Sequence, residues 1–187
     1  MAESGTRKLA PVIAAGAGFI VVLLLVVLGI SAARDTPEAS TPLLMQPAPE
    51  IVAPTYDGST FVLSRRRGSW VVLNFFNSTC VPCKREHPEL VKFHESQLAS
   101  GGTGAELYTV VNDDEERAVR EFFAENGGGW PIIADDDAVI AVDYGIAKVP
   151  ETWLISPTGV VAERFQGQVT AELLASAIAT LSGGSPS

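Results

Sequence analysis

Cys80 and Cys83 are the only cysteines of the 187-residue chain, and both sit inside the stretch NSTCVPCKREHPEL. Three kinds of chemistry fit such a pair: a covalent staple, part of a metal site, or a reagent that exchanges electrons with other thiols. As a staple the pair is poor. Closing a loop of about four residues removes roughly 2 kcal/mol of unfolded-state entropy, against nearly 5 kcal/mol for a loop of about 100. A metal site needs three or four ligands. The other soft ligands nearby, His87 and His94, follow at a spacing that matches no common metal frame, so no metal is expected. Each histidine by itself is expected at a solvated position on a helix surface. Covalent haem attachment would need a histidine where Lys84 stands.

Thiol exchange draws support from the flanking pattern. The run WVVLNFF, Trp70 to Phe76, reads as a central strand buried on both faces, and it points at the cysteines. A helix is expected from Val81 to Ala99, with Leu90, Val91 and Leu98 inward and a kink at Pro88. Cysteines at this junction place the first sulfur near unpaired backbone amides and the positive end of the helix dipole, which stabilises a thiolate. Cys80 is then the nucleophile. Cys83, almost a turn further in, is placed to attack a mixed disulfide and release the product. Lys84 stands four residues after Cys80 and can share its face.

The remaining elements alternate. Asp57-Gly58 lies between Ile51–Tyr56 and Thr60–Leu63, which predicts a hairpin. A strand is expected at Leu107–Val111, and a helix carries Ala118, Val119, Phe122 and Phe123 before Gly127-Gly128-Gly129. A short element at Ala138–Tyr144 leads to a strand over Glu151–Ile155, a turn at Pro157-Thr158-Gly159, and the segment VVAERF. Leu173, Leu174, Ala177, Ile178 and Leu181 form the stripe of a last helix. Together these predict an α/β fold with a mixed central sheet flanked by helices.

Outside that domain the chain changes character. Residues 9–33 carry no charge, and about 20 such residues cross a bilayer core as one helix. The apolar run exceeds the about 7–15 residues of a secretory signal, so an uncleaved anchor is expected. Arg7 and Lys8 on its short flank place residues 1–8 in the cytoplasm and the rest of the chain outside. Residues 34–49, with Pro37, Pro42, Pro47 and Pro49, read as a flexible linker, 50–182 as the domain, and 183–187 as a tail. The formal charge of −9 and the lack of a basic patch exclude nucleic acid as a partner.

WVVLNFFNSTCVPCKREHPEL followed by YGIAKVPETWLISPTGVV resembles the membrane-tethered thioredoxin-like proteins of the TlpA, ResA and CcmG (DsbE) type, with the likeness extending over residues 49–181. The resemblance implies a thioredoxin-like fold with an extra αβ insertion within Leu107–Asp135. It implies that Cys80 and Cys83 are the redox pair and that Pro150 is a cis-proline turning the backbone of Val149 towards Cys80 to receive an extended peptide. Glu86 matches an acidic residue that handles protons near the cysteines, and Asn74 stands where ordinary thioredoxins carry a buried aspartate. Thr79 departs from the pattern, since a tryptophan commonly precedes the first cysteine. Peroxiredoxins use a threonine in a T-x-x-C spacing, but here that position holds Asn77.

The implied activity is that of an extracytoplasmic thiol:disulfide oxidoreductase without a bound cofactor. It would reduce cysteine pairs of apocytochrome c and draw electrons from a membrane carrier of the CcdA or DsbD type. Two rivals stay open at this point: an enzyme that forms or isomerises disulfides, and a tethered interaction module with a merely structural disulfide.

Overall fold

A computed structural model describes residues 41–100 and 104–183, together with Gly16, Gly18, Ile20, Val22 and Leu23, which are helical. The expected spanning run, residues 9–33, lies outside the described residues apart from those five positions. Among the described residues no helix is long and apolar enough to cross a membrane. Thr41 onwards forms a unit of its own.

That unit is an α/β sandwich. Its strands are β1 (Val52–Pro54), β2 (Thr60–Val62), β3 (Val71–Phe76), β4 (Glu106–Val111), β5 (Ile132–Ala134), β6 (Glu151–Ile155) and β7 (Val161–Gln166). Its helices are α1 (Val81–Ala99), α2 (Glu116–Asn126), α3 (Val139–Asp143) and α4 (Ala171–Leu181). The main sheet runs β5-β4-β3-β6-β7, parallel from β5 to β3 and antiparallel from β3 to β7. The expected insertion is α2 with β5, which lengthens the sheet beyond β4. β1 and β2 form the expected hairpin, which caps the β5 edge through Tyr56 N–H to Ile132 O at 2.9 Å.

β3 is central, so all six of its residues are buried, and their alternation divides the core. Val71, Leu73 and Phe75 join Trp153, Tyr144 and Ile51 on one face of the sheet. Val72 and Phe76 join Cys83, Leu90, Phe93 and Leu174 on the other, against α1 and α4. Asn74 shares the parity of Val72 and Phe76, so a polar side chain enters the face that holds the cysteines. On β6, Thr152 lies directly opposite it in the register.

α1 begins with Cys80 as its cap and Pro82 in the first turn, where a missing N–H costs nothing. Pro88 lies inside the same helix and leaves the carbonyl four residues earlier without its usual donor. Two expectations for α1 need correction. Leu98 is 64% exposed, because the inward face near the end of the helix is supplied by Phe93 and Leu90. His87 is buried rather than solvated, since Glu86, His87 and Leu90 follow the inward stripe of the helix.

The linker expected over residues 34–49 also ends earlier than the sequence suggests. Residues 41–49 belong to the folded unit: Met45 N–H donates to Val161 O, Val161 N–H to Gln46 O, and Ala48 N–H to Gly159 O, at 2.8, 2.9 and 3.0 Å. Leu43, Leu44 and Ala48 pack on the core. Pro47 and Pro49 block a helix, yet an edge pairing that uses neighbouring donors tolerates them.

Candidate active site

The loop from β3 to α1 is fastened before it reaches the sulfurs. Asn77 Nδ2 donates to Asp113 O at 2.8 Å, and Asn77 Oδ1 accepts the Thr79 N–H at 2.8 Å and the Thr79 hydroxyl at 2.6 Å. Both the N–H and the hydroxyl of Ser78 donate to the Asp114 carboxylate, the hydroxyl at 2.8 Å. Five hydrogen bonds thus fix the chain immediately ahead of Cys80.

Cys80 and Cys83 are joined as a disulfide with their Cα atoms 5.3 Å apart. Cys80 is half-buried and Cys83 is 1% exposed, which makes the first sulfur the one a partner can reach. Cys83 N–H points at the Cys80 sulfur at 3.2 Å, so the sulfur occupies the place of a helix-capping acceptor. Negative charge on that atom would be met by the amide and by the helix dipole.

The Val149–Pro150 peptide bond is cis. Val149 O lies 3.6 Å from the Cys80 sulfur, and Pro150 O accepts Gly167 N–H at 3.0 Å. The backbone just before β6 therefore flanks the exposed sulfur.

Glu86 lies on the buried side. Its carboxylate accepts Val169 N–H at 3.0 Å and faces Asn74 Nδ2 at 3.4 Å, while Asn74 Nδ2 also donates to the Thr152 hydroxyl at 3.0 Å. Burial outweighs these two bonds and pushes the Glu86 carboxyl up to about 7. Glu86 stands three positions after Cys83, on the same helix flank. Lys84 reaches over the Phe122 ring, 5.8 Å from its centroid.

His87 Nε2 donates to Gly127 O at 2.8 Å; a carbonyl only accepts, so Nε2 is the protonated nitrogen. It packs among Phe122, Phe123 and Trp130, and burial holds it below the usual histidine range. Its role is that of a core residue.

The AhpC/TSA family profile matches residues 44–164, nearly the whole span of the sheet and the cysteine helix. The chain belongs to that family. Within it, the chain is similar to thiol-disulfide oxidoreductase ResA of Geobacillus thermodenitrificans, with 31% identity over 157 residues that cover 82% of this chain and 87% of that one. It is 29% identical to ResA of Bacillus subtilis over 127 residues, 68% of this chain and 69% of the relative. A solved structure named for the thiol:disulfide interchange protein DsbE of Chlorobium tepidum superposes with a TM-score of 0.63 and 25% identity, covering 72% of this chain and 94% of that one. The protein is a thiol-disulfide oxidoreductase of the ResA/DsbE type, with a thioredoxin-like fold and protein thiols as its class of substrate.

For an AhpC/TSA-family oxidoreductase the site is thus assembled from four separated stretches. Sequence reasoning named Cys80, Cys83, Glu86, Val149 and Pro150, and the fold brings Val149 to Cys80. It did not name Thr152, Val169 or Gly167, which hold Asn74, Glu86 and Pro150. Nor did it name Asp114, which anchors Ser78. Thr152 was accessible in principle, because two polar residues in otherwise apolar strands, Asn74 and Thr152, invite pairing across a sheet. The contacts of Val169 and Gly167 are made by backbone N–H groups, which leave no mark in residue type.

Proposed function

We propose that the protein works as a reductant of protein disulfides on the outer face of the cytoplasmic membrane, held there by residues 9–33, and that its substrates are cysteine pairs of apocytochrome c. In the reduced form, the Cys80 thiolate attacks one sulfur of a substrate disulfide. A mixed disulfide forms, and the displaced substrate sulfur leaves as a thiolate that takes up a proton. Cys83, deprotonated in turn, attacks the Cys80 sulfur and expels the second substrate thiolate. The substrate gains two electrons and two protons, and the Cys80–Cys83 disulfide is left behind. Electrons return from a membrane dithiol carrier of the CcdA or DsbD type.

The observation that carries this reading is the buried Glu86 carboxyl, pushed up to about 7 and placed on the flank of Cys83. A carboxyl that titrates near neutrality can take the Cys83 proton when a substrate docks and return it afterwards. Val149 and Pro150 act in substrate binding, presenting backbone to an extended peptide beside Cys80. The names of the ResA relatives support disulfide exchange as the activity, and an uncharged run of spanning length supports the location.

In cells, Cys83→Ser is expected to accumulate mixed disulfides that mass spectrometry assigns to apocytochrome c, and an impermeant thiol reagent is expected to label the reduced protein without lysis. Trapped species made up of proteins that await disulfide formation would favour an oxidant instead. Labelling only after lysis would refute the location.

A further inference from the structure

The parallel ladder between β3 and β4 ends at the pair Phe76 and Val111, and Asn77, the next residue, carries the connection on through its side chain. Asn77 Nδ2 donates to Asp113 O at 2.8 Å, while Oδ1 accepts the Thr79 N–H at 2.8 Å and the Thr79 hydroxyl at 2.6 Å. The backbone carbonyl of Asn77 accepts the Cys80 N–H at 3.1 Å. One residue thus ties the chain after β4 to both residues that precede α1.

These partners dictate the kind of side chain that position 77 needs. A backbone N–H only donates and a carbonyl only accepts, so the side chain must offer Thr79 an acceptor and Asp113 a donor at once. An amide does both. A carboxylate lacks the donor, and alanine lacks donor and acceptor alike.

What this clamp holds is the cap of the helix. Cys80 caps α1 with φ −75 and ψ 108, and its sulfur stands where a capping oxygen would, 3.2 Å from the Cys83 nitrogen. The sulfur keeps that place only while the Cys80 backbone stays outside the helix, because a cap residue that takes helical angles joins the first turn. On the helix side Cys80 O accepts Lys84 N–H at 3.1 Å, and on the other side the Asn77 bonds hold Thr79 and the Cys80 N–H. An amide aimed at the sulfur favours a thiolate there over a thiol.

We infer that Asn77 is a positioning residue for thiol exchange: by holding Thr79 and Cys80 in the capping geometry, it keeps the Cys83 N–H on the reacting sulfur and so favours the attacking thiolate. The inference rests on the reading of Cys80 as the attacking sulfur and is independent of the direction in which electrons flow.

The test uses the full-length, reduced protein in neutral detergent, alkylated with iodoacetamide across a pH series, with the label on Cys80 quantified by mass spectrometry. The midpoint of the rate profile reports the thiolate, and its alkaline plateau reports access to the sulfur. Asn77→Ala is expected to move the midpoint towards alkaline pH, leaving about tenfold less thiolate at any pH well below it. Thr79→Val removes one of the two bonds to Oδ1 and is expected to move the midpoint the same way but less, whereas Thr79→Ser keeps both donors and should leave it in place. Thr79→Val carries the test by itself if Asn77→Ala does not fold. A midpoint that stays put, a change confined to the plateau, or equal shifts in Thr79→Val and Thr79→Ser would overturn the positioning role while leaving Cys80 as the nucleophile. Preferential labelling of Cys83 would overturn both.

Discussion

Glu86 on α1 accepts a hydrogen bond at 3.0 Å from the backbone of Val169, a residue 83 positions further along the chain. Two residues before Val169, Gly167 donates at 3.0 Å to the carbonyl of Pro150. One short segment between β7 and α4 therefore supports both the buried carboxyl beside Cys83 and the cis-proline beside Cys80. The buried carboxyl and the cis peptide bond thus share one short stretch of backbone as a scaffold.

The Glu86 carboxyl ties stability to pH. Because the fold raises its pKa from 4.5 to about 7, the folded chain holds a proton that the unfolded chain gives up earlier. The stability this group contributes is complete below about 4.5 and is lost as pH rises through about 7. Relative to Glu86→Gln, the unaltered oxidised protein should lose on the order of 3 kcal/mol between pH 4.5 and pH 8. Urea unfolding of both proteins across that range checks this, and parallel stability curves would show that Glu86 is not desolvated in the fold.

The two cysteines should differ when each is removed. Cys80→Ser loses the reachable sulfur and is expected to abolish exchange with disulfide peptides. Cys83→Ser keeps the nucleophile and should stall as a mixed disulfide. Non-reducing electrophoresis after incubation with an oxidised peptide distinguishes them, and equal trapping by both would reverse the assignment.

Thr152 contributes through Asn74. Replacing it with valine removes the oxygen 3.0 Å from Asn74 Nδ2 and leaves a buried amide short of an acceptor. A loss of about 1–3 kcal/mol is expected in denaturant unfolding. An unchanged midpoint would mean that Asn74 finds another partner.

Gly128 is expected to be intolerant of a side chain. It lies at φ +115, and a Cβ there would stand 2.7 Å from Phe123 Cδ1 and 3.2 Å from His87 Cε1. Gly145, at φ +65, has nothing within 4 Å of the same position. Gly128→Ala should therefore cost about 1–3 kcal/mol more than Gly145→Ala. Equal thermal unfolding of the two variants would show that the aromatic packing around His87 yields easily.

The elements that present the cysteines were legible in the sequence because they rest on local signals. The apolar run of β3, the helix with Pro82 in its first turn, the Asp57-Gly58 hairpin and the turn at Gly159 are each written within a few neighbouring residues. The setting of the cysteine pair was legible for the same reason, since its spacing and its place between a strand and a helix are local facts. Burial at single helix positions was less so: His87 and Leu98 exchanged their expected roles, because which side chain fills a gap depends on Phe122, Phe123 and Trp130 arriving from elsewhere. The extent of the linker escaped for a related reason. Prolines announce what residues 41–49 cannot form but not that the β7 edge stands free to pair with them. Only the tertiary structure could bring Val149 to Cys80, Val169 to Glu86 and Asp114 to Ser78. Each of those contacts has a backbone group on one side, Val149 O, Val169 N–H or Ser78 N–H, which every residue carries, so that partner is chosen by how the sheet and helices pack.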